Sequence, residues 1–468
     1  MNRPRPGLIC ALFCLLTLTG CSQDKPAAEV PEQPDNQAVY VKFDAAAGAR
    51  KAALLDTFFR QLGEKRIFNG TVLVAQAGHV IYKGAFGYKD LTAKDTLTTA
   101  TPFQLASVSK QFTAVAVMQL KEKGLLDYDD PVYQFIPNFP YDSSITIRLL
   151  LTHRSGLPGY QYSLEKHVDR RMPLTNQEVV AKLCELRPAP YYPPNRKFNY
   201  NNTNYVLLAA IVERLTGKSF RQYADEHLFK PLQMRHTFVY DGSDTAQVRL
   251  AATGYTGGRR SIALDYLDSV TGDKSVYSTV EDLFKWDRGL YTNQIIRQRT
   301  LEEAFRPAHQ DANLVTKNYG FGWRLQKLPD NDWLTFHTGW WHGFKNYFMR
   351  SRPDQTTVIL LSNVANSYLS NVGMVNAILY PERARFFLRG DMNPEATASA
   401  DASGTNAMGE AAAPALMTLA DFNKLRPTPP PPPRKVVRKP VRRTTAKGRK
   451  PAVVRRSTAA KKPASRKR

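Results

Sequence analysis

Apolar positions along the chain follow two periods, each confined to its own stretch. Strand-length apolar runs sit near the two ends of the central region. These are Gly70-Thr-Val-Leu-Val-Ala-Gln76 and Val80-Ile-Tyr-Lys83 about a turn at Gly78, then Trp333–Phe336, Lys345–Arg350 and Thr357–Leu361. Helical patterns fill the interval between them, over 107–123, 177–187, 204–216, 219–229 and 280–290. Gly124 and Gly217 close two of these, as glycine does where a helix ends in left-handed backbone. The distribution predicts an α+β fold: an antiparallel sheet built from both ends of the domain, flanked by helices, with a mainly helical inserted lobe. Its length suits one large domain or two interleaved lobes, and no internal repeat is visible.

The flanks read differently. Arg3 and Arg5 precede Leu8–Leu18, an apolar run of signal-peptide length that is too short to span a membrane. It closes on Leu18-Thr-Gly-Cys21, which resembles a bacterial lipobox, where the cysteine is lipidated and becomes the new N-terminus. Residues 1–20 are therefore read as a lipoprotein signal peptide and 21–47 as a polar tether. Ser22, next after the cysteine, points to the periplasmic face of an outer membrane. At the other end, 389–426 is an Ala/Ser/Gly/Asn-rich flexible linker and 427–468 a Pro-rich, basic tail that cannot bury a core.

Charge follows this division. Sixteen of the 65 Lys and Arg residues lie between Arg434 and Arg468, and no acid occurs from Pro427 onward. Without that tail and the two leader arginines, the formal +24 falls to +6 for residues 21–433. The basic balance thus belongs to the tail. Behind an export signal, its expected partners are anionic lipid headgroups or cell-wall polymers. It lacks the aromatics that stack on bases, so nucleic acid is not expected. Cys10 and Cys14 leave with the signal and Cys21 is the lipidation site. Only Cys184 remains, as a core helix residue, so no intrachain disulfide forms. The eight histidines lack metal-ligand spacing, and neither metal nor cofactor is expected.

Three short boxes carry the candidate chemistry: Ser107-Val-Ser-Lys110, Tyr200-Asn-Asn202 and His337-Thr-Gly339. Ser-x-x-Lys also occurs at Ser22/Lys25 and Ser163/Lys166, and Tyr-x-Asn at Tyr291/Asn293, so context must choose. Ser107 alone opens an apolar helix, with Lys110 on the same face. Burial lowers a lysine's pKa, and a neutral amine can accept a serine proton. Tyr200 lies in a polar loop before a second apolar helix and suits a general base or proton relay; which of Lys110 and Tyr200 is the base stays open. Asn202 would donate to a substrate carbonyl. Thr338 and Gly339 are small enough for a substrate backbone to lie along the strand edge. His337 would offer a donor or a positive charge to a carboxylate.

Taken in order, these boxes resemble the serine β-lactamase and penicillin-binding protein superfamily, in the branch of class C β-lactamases, D,D-carboxypeptidases and related esterases. Ile145–Leu157, Leu228–Met234, Val276–Leu283 and Tyr319-Gly-Phe-Gly-Trp323 extend the resemblance over residues 48–388. It implies a β-lactamase/transpeptidase-like fold, with Ser107 as the acylated nucleophile and Lys110 and Tyr200 as proton-transfer partners. Asn202 would bind substrate, and the backbone N–H groups of Ser107 and Trp340 would form the oxyanion hole. The third box departs from the usual Lys-Thr-Gly, and a histidine there is only partly charged near its reference pKa. Trp340 and Trp341 are bulky and would narrow the site. The expected function is therefore acyl-enzyme hydrolysis of D-amino-acid-containing peptides from peptidoglycan. A carboxylesterase and then a weak β-lactamase stand behind it, and a non-catalytic cell-wall-binding lipoprotein is the alternative of another class.

Overall fold

A computed structural model describes residues 41–308, 317–365 and 372–388. The signal peptide, Cys21, most of the tether, the linker and the basic tail lie outside the described residues. Seven strands form the main sheet. Gly70–Gln76 (β1) and His79–Phe86 (β2) come from the N-terminal side. Lys317–Tyr319 (β3), Arg324–Lys327 (β4), Trp333–Trp341 (β5), Phe344–Ser351 (β6) and Thr356–Ser362 (β7) come from the C-terminal side. The order across the sheet is β2-β1-β7-β6-β5-β4-β3, and every pairing is antiparallel. The two ends of the domain meet where β1 pairs with β7, from Gly70 opposite Ser362 to Ala75 opposite Thr357. Gly70 suits that seam, because a Cβ there would lie 2.0 Å from the Leu361 carbonyl oxygen.

Both faces of this sheet are covered, which explains why its central strands read as continuous apolar runs. Val72, Val74, Met349, Val358 and Leu360 pack into one core with the helix Val372–Leu379 and with Ala45–Glu64 (α1). Leu73, Ala75, Phe348, Ile359 and Leu361 point the other way, into a larger core shared with the helical lobe. The sequence pattern did not predict α1, which starts inside the stretch read as tether. Asp44 caps it by accepting from the Ala47 N–H at 2.9 Å. Its buried stripe of Leu55, Phe58, Phe59 and Leu62 has helical spacing.

The inserted lobe holds Lys110–Glu122 (α2), Ile147–Leu151 (α3), Asn176–Leu186 (α4), Asn202–Thr216 (α5) and Val280–Gly289 (α6). Every residue of α2 from Lys110 to Leu120 is buried. Its polar members find partners there: the Thr113 hydroxyl donates to the Gly272 carbonyl at 2.7 Å, and Trp286 donates to Gln111 at 3.2 Å. Gly124 and Gly217 both adopt φ +68°, as their places after α2 and α5 require. The expected helix at 219–229 splits into an α-turn, Phe220–Ala224, and a wider π-turn, Asp225–Phe229. Cys184 sits half-buried on α4, without a disulfide partner among the described residues.

Phe59 is 1% exposed and packs against the rings of Phe58, Phe68, Tyr82 and Phe86. Phe59→Ala should cost about 3–5 kcal/mol of stability in urea denaturation. An unchanged midpoint would mean that α1 does not seal this face of the sheet.

Candidate active site

Ser107 lies in a single 3-10 turn, Ala106–Ser109, between the short strand Phe103–Gln104 and α2. The turn is pinned at both ends: the Leu105 N–H donates to Val276 O at 2.8 Å, and the Val276 N–H donates to Ser109 Oγ at 3.1 Å. Ala106, just before the serine, adopts φ +50°, which costs a non-glycine residue about 1–2 kcal/mol. Gly339 of β5 faces this turn. A Cβ on it would lie 2.1 Å from Leu105 O and 3.2 Å from Ala106 Cβ. The glycine of the third box is thus demanded by the approach of the nucleophile's own backbone, whatever the substrate does.

Lys110 is 0% exposed, one turn further along. Its Nζ donates to Ser107 Oγ at 3.0 Å, to Asn202 Oδ1 at 2.8 Å and to the Asp273 carbonyl at 2.8 Å. That uses all three N–H bonds of the ammonium, and Lys110 makes no ion pair among the described residues. Asn202 is oriented in turn, because its Nδ2 donates to Gln161 Oε1 at 3.0 Å. Tyr200 stands beside the pair, with Lys110 Nζ 5.0 Å from its ring centroid. Its hydroxyl oxygen is buried and bonds neither Ser107 nor Lys110. Of the other matches, Ser22/Lys25 lies outside the described residues, Lys166 is exposed, and Tyr291 packs at the end of α6 under Arg288 and Arg350.

β5 carries the third box at a free edge. Among the described residues it pairs with β4 only over Trp333–Phe336, so from His337 to Trp341 it has a strand neighbour on the β6 side alone. An extended substrate can add there as a strand. Thr338 is half-buried beside that edge, while the Trp340 indole is 55% exposed. Trp341 folds back, and its Nε1–H donates to Asp268 at 2.8 Å.

His337 does not match the expectation of a partly charged imidazole. It is 0% exposed; Nδ1 lies 2.6 Å from the Thr338 carbonyl and Nε2 lies 3.0 Å from the Tyr319 hydroxyl. A carbonyl can only accept, which places the proton on Nδ1 and leaves Nε2 to accept from Tyr319. Burial, and then the charges of Arg324 and Lys110, hold its pKa well below the usual 6.5. The ring is neutral, with both nitrogens committed. The cation at this end of the site is Arg324, the first residue of β4, opposite Phe336. Its guanidinium lies 5.0 Å from the Tyr200 ring centroid, and its Nε is buried with no hydrogen-bond partner among the described residues.

Arg324 directly follows the Tyr319–Trp323 stretch but belongs to no box, so spacing alone could not single it out. His153, within the Ile145–Leu157 stretch, is also at the centre of the site. Its Nδ1 accepts from the Asn201 N–H and from Asn204 Nδ2, both at 3.1 Å, and its ring packs 4.3 Å from that of Tyr200. Burial first, then Lys110, His337 and Arg324, push its pKa well below the usual value. His153 therefore holds the Tyr200 loop as a neutral acceptor. Asp273 contributes a main-chain carbonyl, for which no side-chain pattern exists.

A serine hydroxyl bonded to a buried amine, beside a phenol, a carboxamide and an open strand edge, defines a serine hydrolase working by acyl transfer. The chain belongs to the Beta-lactamase family, whose model matches residues 55–374. It is 38% identical over 322 residues to penicillin-binding protein 4* of Bacillus subtilis (strain 168), covering 66% of this chain and 71% of that protein. Among solved structures it resembles the octameric penicillin-binding protein homologue from Pyrococcus abyssi, at 25% identity and TM-score 0.58, covering 67% of this chain and 73% of that one. It also resembles the D-amino acid amidase from Ochrobactrum anthropi SV3, at 25% identity and TM-score 0.57, covering 72% and 98%.

The buried histidines give stability a pH dependence of definite sign. The unfolded chain takes up protons near pH 6.5, while folded His153 and His337 do so only well below it. Acidification through pH 6.5 therefore favours unfolding, by up to about 1.4 kcal/mol per pH unit for each ring. The urea midpoint should fall from pH 7 to pH 5.5, and His337→Gln should flatten the fall; an unchanged slope would show that His337 is charged in the fold.

Proposed function

We propose that the site hydrolyses D-amino-acid-containing peptides ending in a free carboxylate, of the kind found in peptidoglycan, through an acyl-enzyme on Ser107. The observation that carries this reading is Arg324, a cation whose buried Nε has no partner among the described residues, at the end of the open strand edge. A substrate lying along β5 with its reactive carbonyl at Ser107 would bring a terminal carboxylate toward that guanidinium. Charge-assisted bonds of this kind are the strong ones. The likeness to a penicillin-binding protein and to a D-amino acid amidase supports the same substrate class.

In this mechanism the Lys110 ammonium first gives up a proton to solvent, and the amine then takes the Ser107 proton along their 3.0 Å contact as Oγ bonds to the carbonyl carbon. The resulting oxyanion sits between the backbone N–H groups of Ser107 and Trp340, where each donor contributes about 3 kcal/mol. Collapse breaks the C–N bond, and the leaving amine takes the proton back from Lys110, with Tyr200 as relay. Water then attacks the acyl carbon, its proton follows the same route, and Ser107 is released. Tyr200's ring stands 5.0 Å from Lys110 Nζ and its buried hydroxyl has no partner among the described residues, which supports a relay role. We further propose that Cys21 is lipidated, so that the enzyme acts at the periplasmic face of the outer membrane. The tail from residue 427 would add contact with anionic envelope polymers. Among the described residues, no helix is long and apolar enough to cross a membrane.

Ser107→Ala should abolish labelling by a fluorophosphonate or a fluorescent penicillin; persistent labelling would place the nucleophile elsewhere. Arg324→Gln should raise KM for a D-Ala-D-Ala pentapeptide by tenfold or more, about the value of a charged hydrogen bond. Turnover of p-nitrophenyl acetate, which has no carboxylate, should stay within about threefold. Equal loss on both substrates would remove Arg324 from carboxylate recognition, and turnover of the ester alone by the wild type would favour the carboxylesterase.

A further inference from the structure

Asp268 is the most heavily engaged buried carboxylate near the site, and the mechanism above makes no use of it. It is 0% exposed and lies in the irregular but buried segment 266–275. One oxygen accepts from Gln104 Nε2 at 3.0 Å and from Trp341 Nε1 at 2.8 Å. The other accepts from the Asp265 N–H at 2.6 Å and contacts His342 Nδ1 at 3.0 Å. Burial alone would raise its pKa, but the hydrogen bond and charge of His342, with the other donors, hold it below the ordinary carboxylate value. Asp265, Asp268 and His342 offer ligand atoms within 4.8 Å of one another. Yet both Asp268 oxygens already face two nitrogens each, which makes the group a hydrogen-bond hub instead of a cation site.

The sequence positions of those donors give the hub its meaning. Gln104 is three residues before Ser107, on the strand leading into the nucleophile turn. Trp341 and His342 directly follow Trp340, and His342 holds the β5–β6 turn in a left-handed conformation at φ +41°. The Ser107 and Trp340 N–H groups thus come from two chain segments joined through one carboxylate. A second tie, Asn346 Nδ2 to the Gln104 carbonyl at 2.8 Å, runs from β6 to the same strand.

We infer that Asp268 is the positioning residue of the oxyanion hole: bridging Gln104 and Trp341–His342, it fixes the spacing of the Ser107 and Trp340 N–H groups. The inference rests on Ser107 being the nucleophile. A hole set slightly too wide binds substrate as before but stabilises the tetrahedral species poorly.

The test uses an arylboronic acid, which forms a tetrahedral adduct on the serine oxygen, beside turnover of p-nitrophenyl acetate. Asp268→Asn keeps the shape but turns a donor toward two of the four nitrogens. It should lower kcat and boronate affinity together, by about 30- to 100-fold, with KM within about threefold. Trp341→Phe removes one donor and keeps most of the ring; it should lower both by about tenfold, and the double variant should lose little more than Asp268→Asn alone. Unchanged boronate affinity in folded Asp268→Asn, or in Trp341→Phe if the first variant does not fold, would overturn the inference. So would a loss carried by KM. Labelling that survives Ser107→Ala would instead strike the nucleophile assignment beneath it.

Discussion

Lys110 has to be kept dry and still, and the surrounding structure follows from that requirement. Its ammonium group is held by a hydroxyl from its own turn and by a carboxamide and a main-chain carbonyl from two distant stretches of chain. Each acceptor is fixed by something else. Asn202 sits at the first turn of α5, where Asn201 caps the helix by accepting from the Thr203 N–H, and Gln161 holds its amide. Asp273 is anchored through its side chain, which accepts from the Tyr160 hydroxyl and pairs with buried Lys274. Ser107 is set by the turn that Gly339 allows to approach β5. A buried ammonium surrounded by neutral acceptors is costly to assemble, and in the proposed mechanism it is the group that exchanges a proton with serine.

Electrostatics divides the cleft into two ends. Lys110 and Arg324 flank the Tyr200 ring, each about 5.0 Å from its centroid. Burial first, and then these nearby charges, hold the pKa of His153 and of His337 well below the usual value. Their nitrogens then serve geometry: His153 holds the Tyr200 loop, and His337 links Tyr319 to β5. In the proposed mechanism the charge expected of the third box comes instead from Arg324 on the neighbouring strand, while His337 is buried with both ring nitrogens in contact.

Much of this was legible in the sequence, for identifiable reasons. Strands buried on both faces produce runs that cannot be polar, and helices ending in glycine announce their stops, so β1, β5, β6, β7, α2 and α5 were readable. Ser107, Lys110 and Asn202 were singled out by the apolar helices that follow them, and the structure brings all three into contact. Tyr200 joins them through its ring but not through its hydroxyl. What could not be read depends on tertiary neighbours. β3 and β4 are too short to show a period. α1 lies in a stretch whose alanines and charges resemble a linker until Leu55. His337 looked like a charge because nothing local reveals that Tyr319 and Arg324 enclose it. Asp268 and the Asp273 carbonyl gain their roles only after distant segments pack on them.

The most direct test of this account is the intact mass of the protein after brief exposure to an activated acyl donor, compared with Lys110→Met. Methionine keeps the length and apolar stem but cannot take a proton. The wild type should gain one acyl group, mapped by peptide fragmentation to Ser107, and a folded Lys110→Met should gain none on the same timescale. Equal acylation of the two proteins would contradict the claim that the buried amine activates the serine.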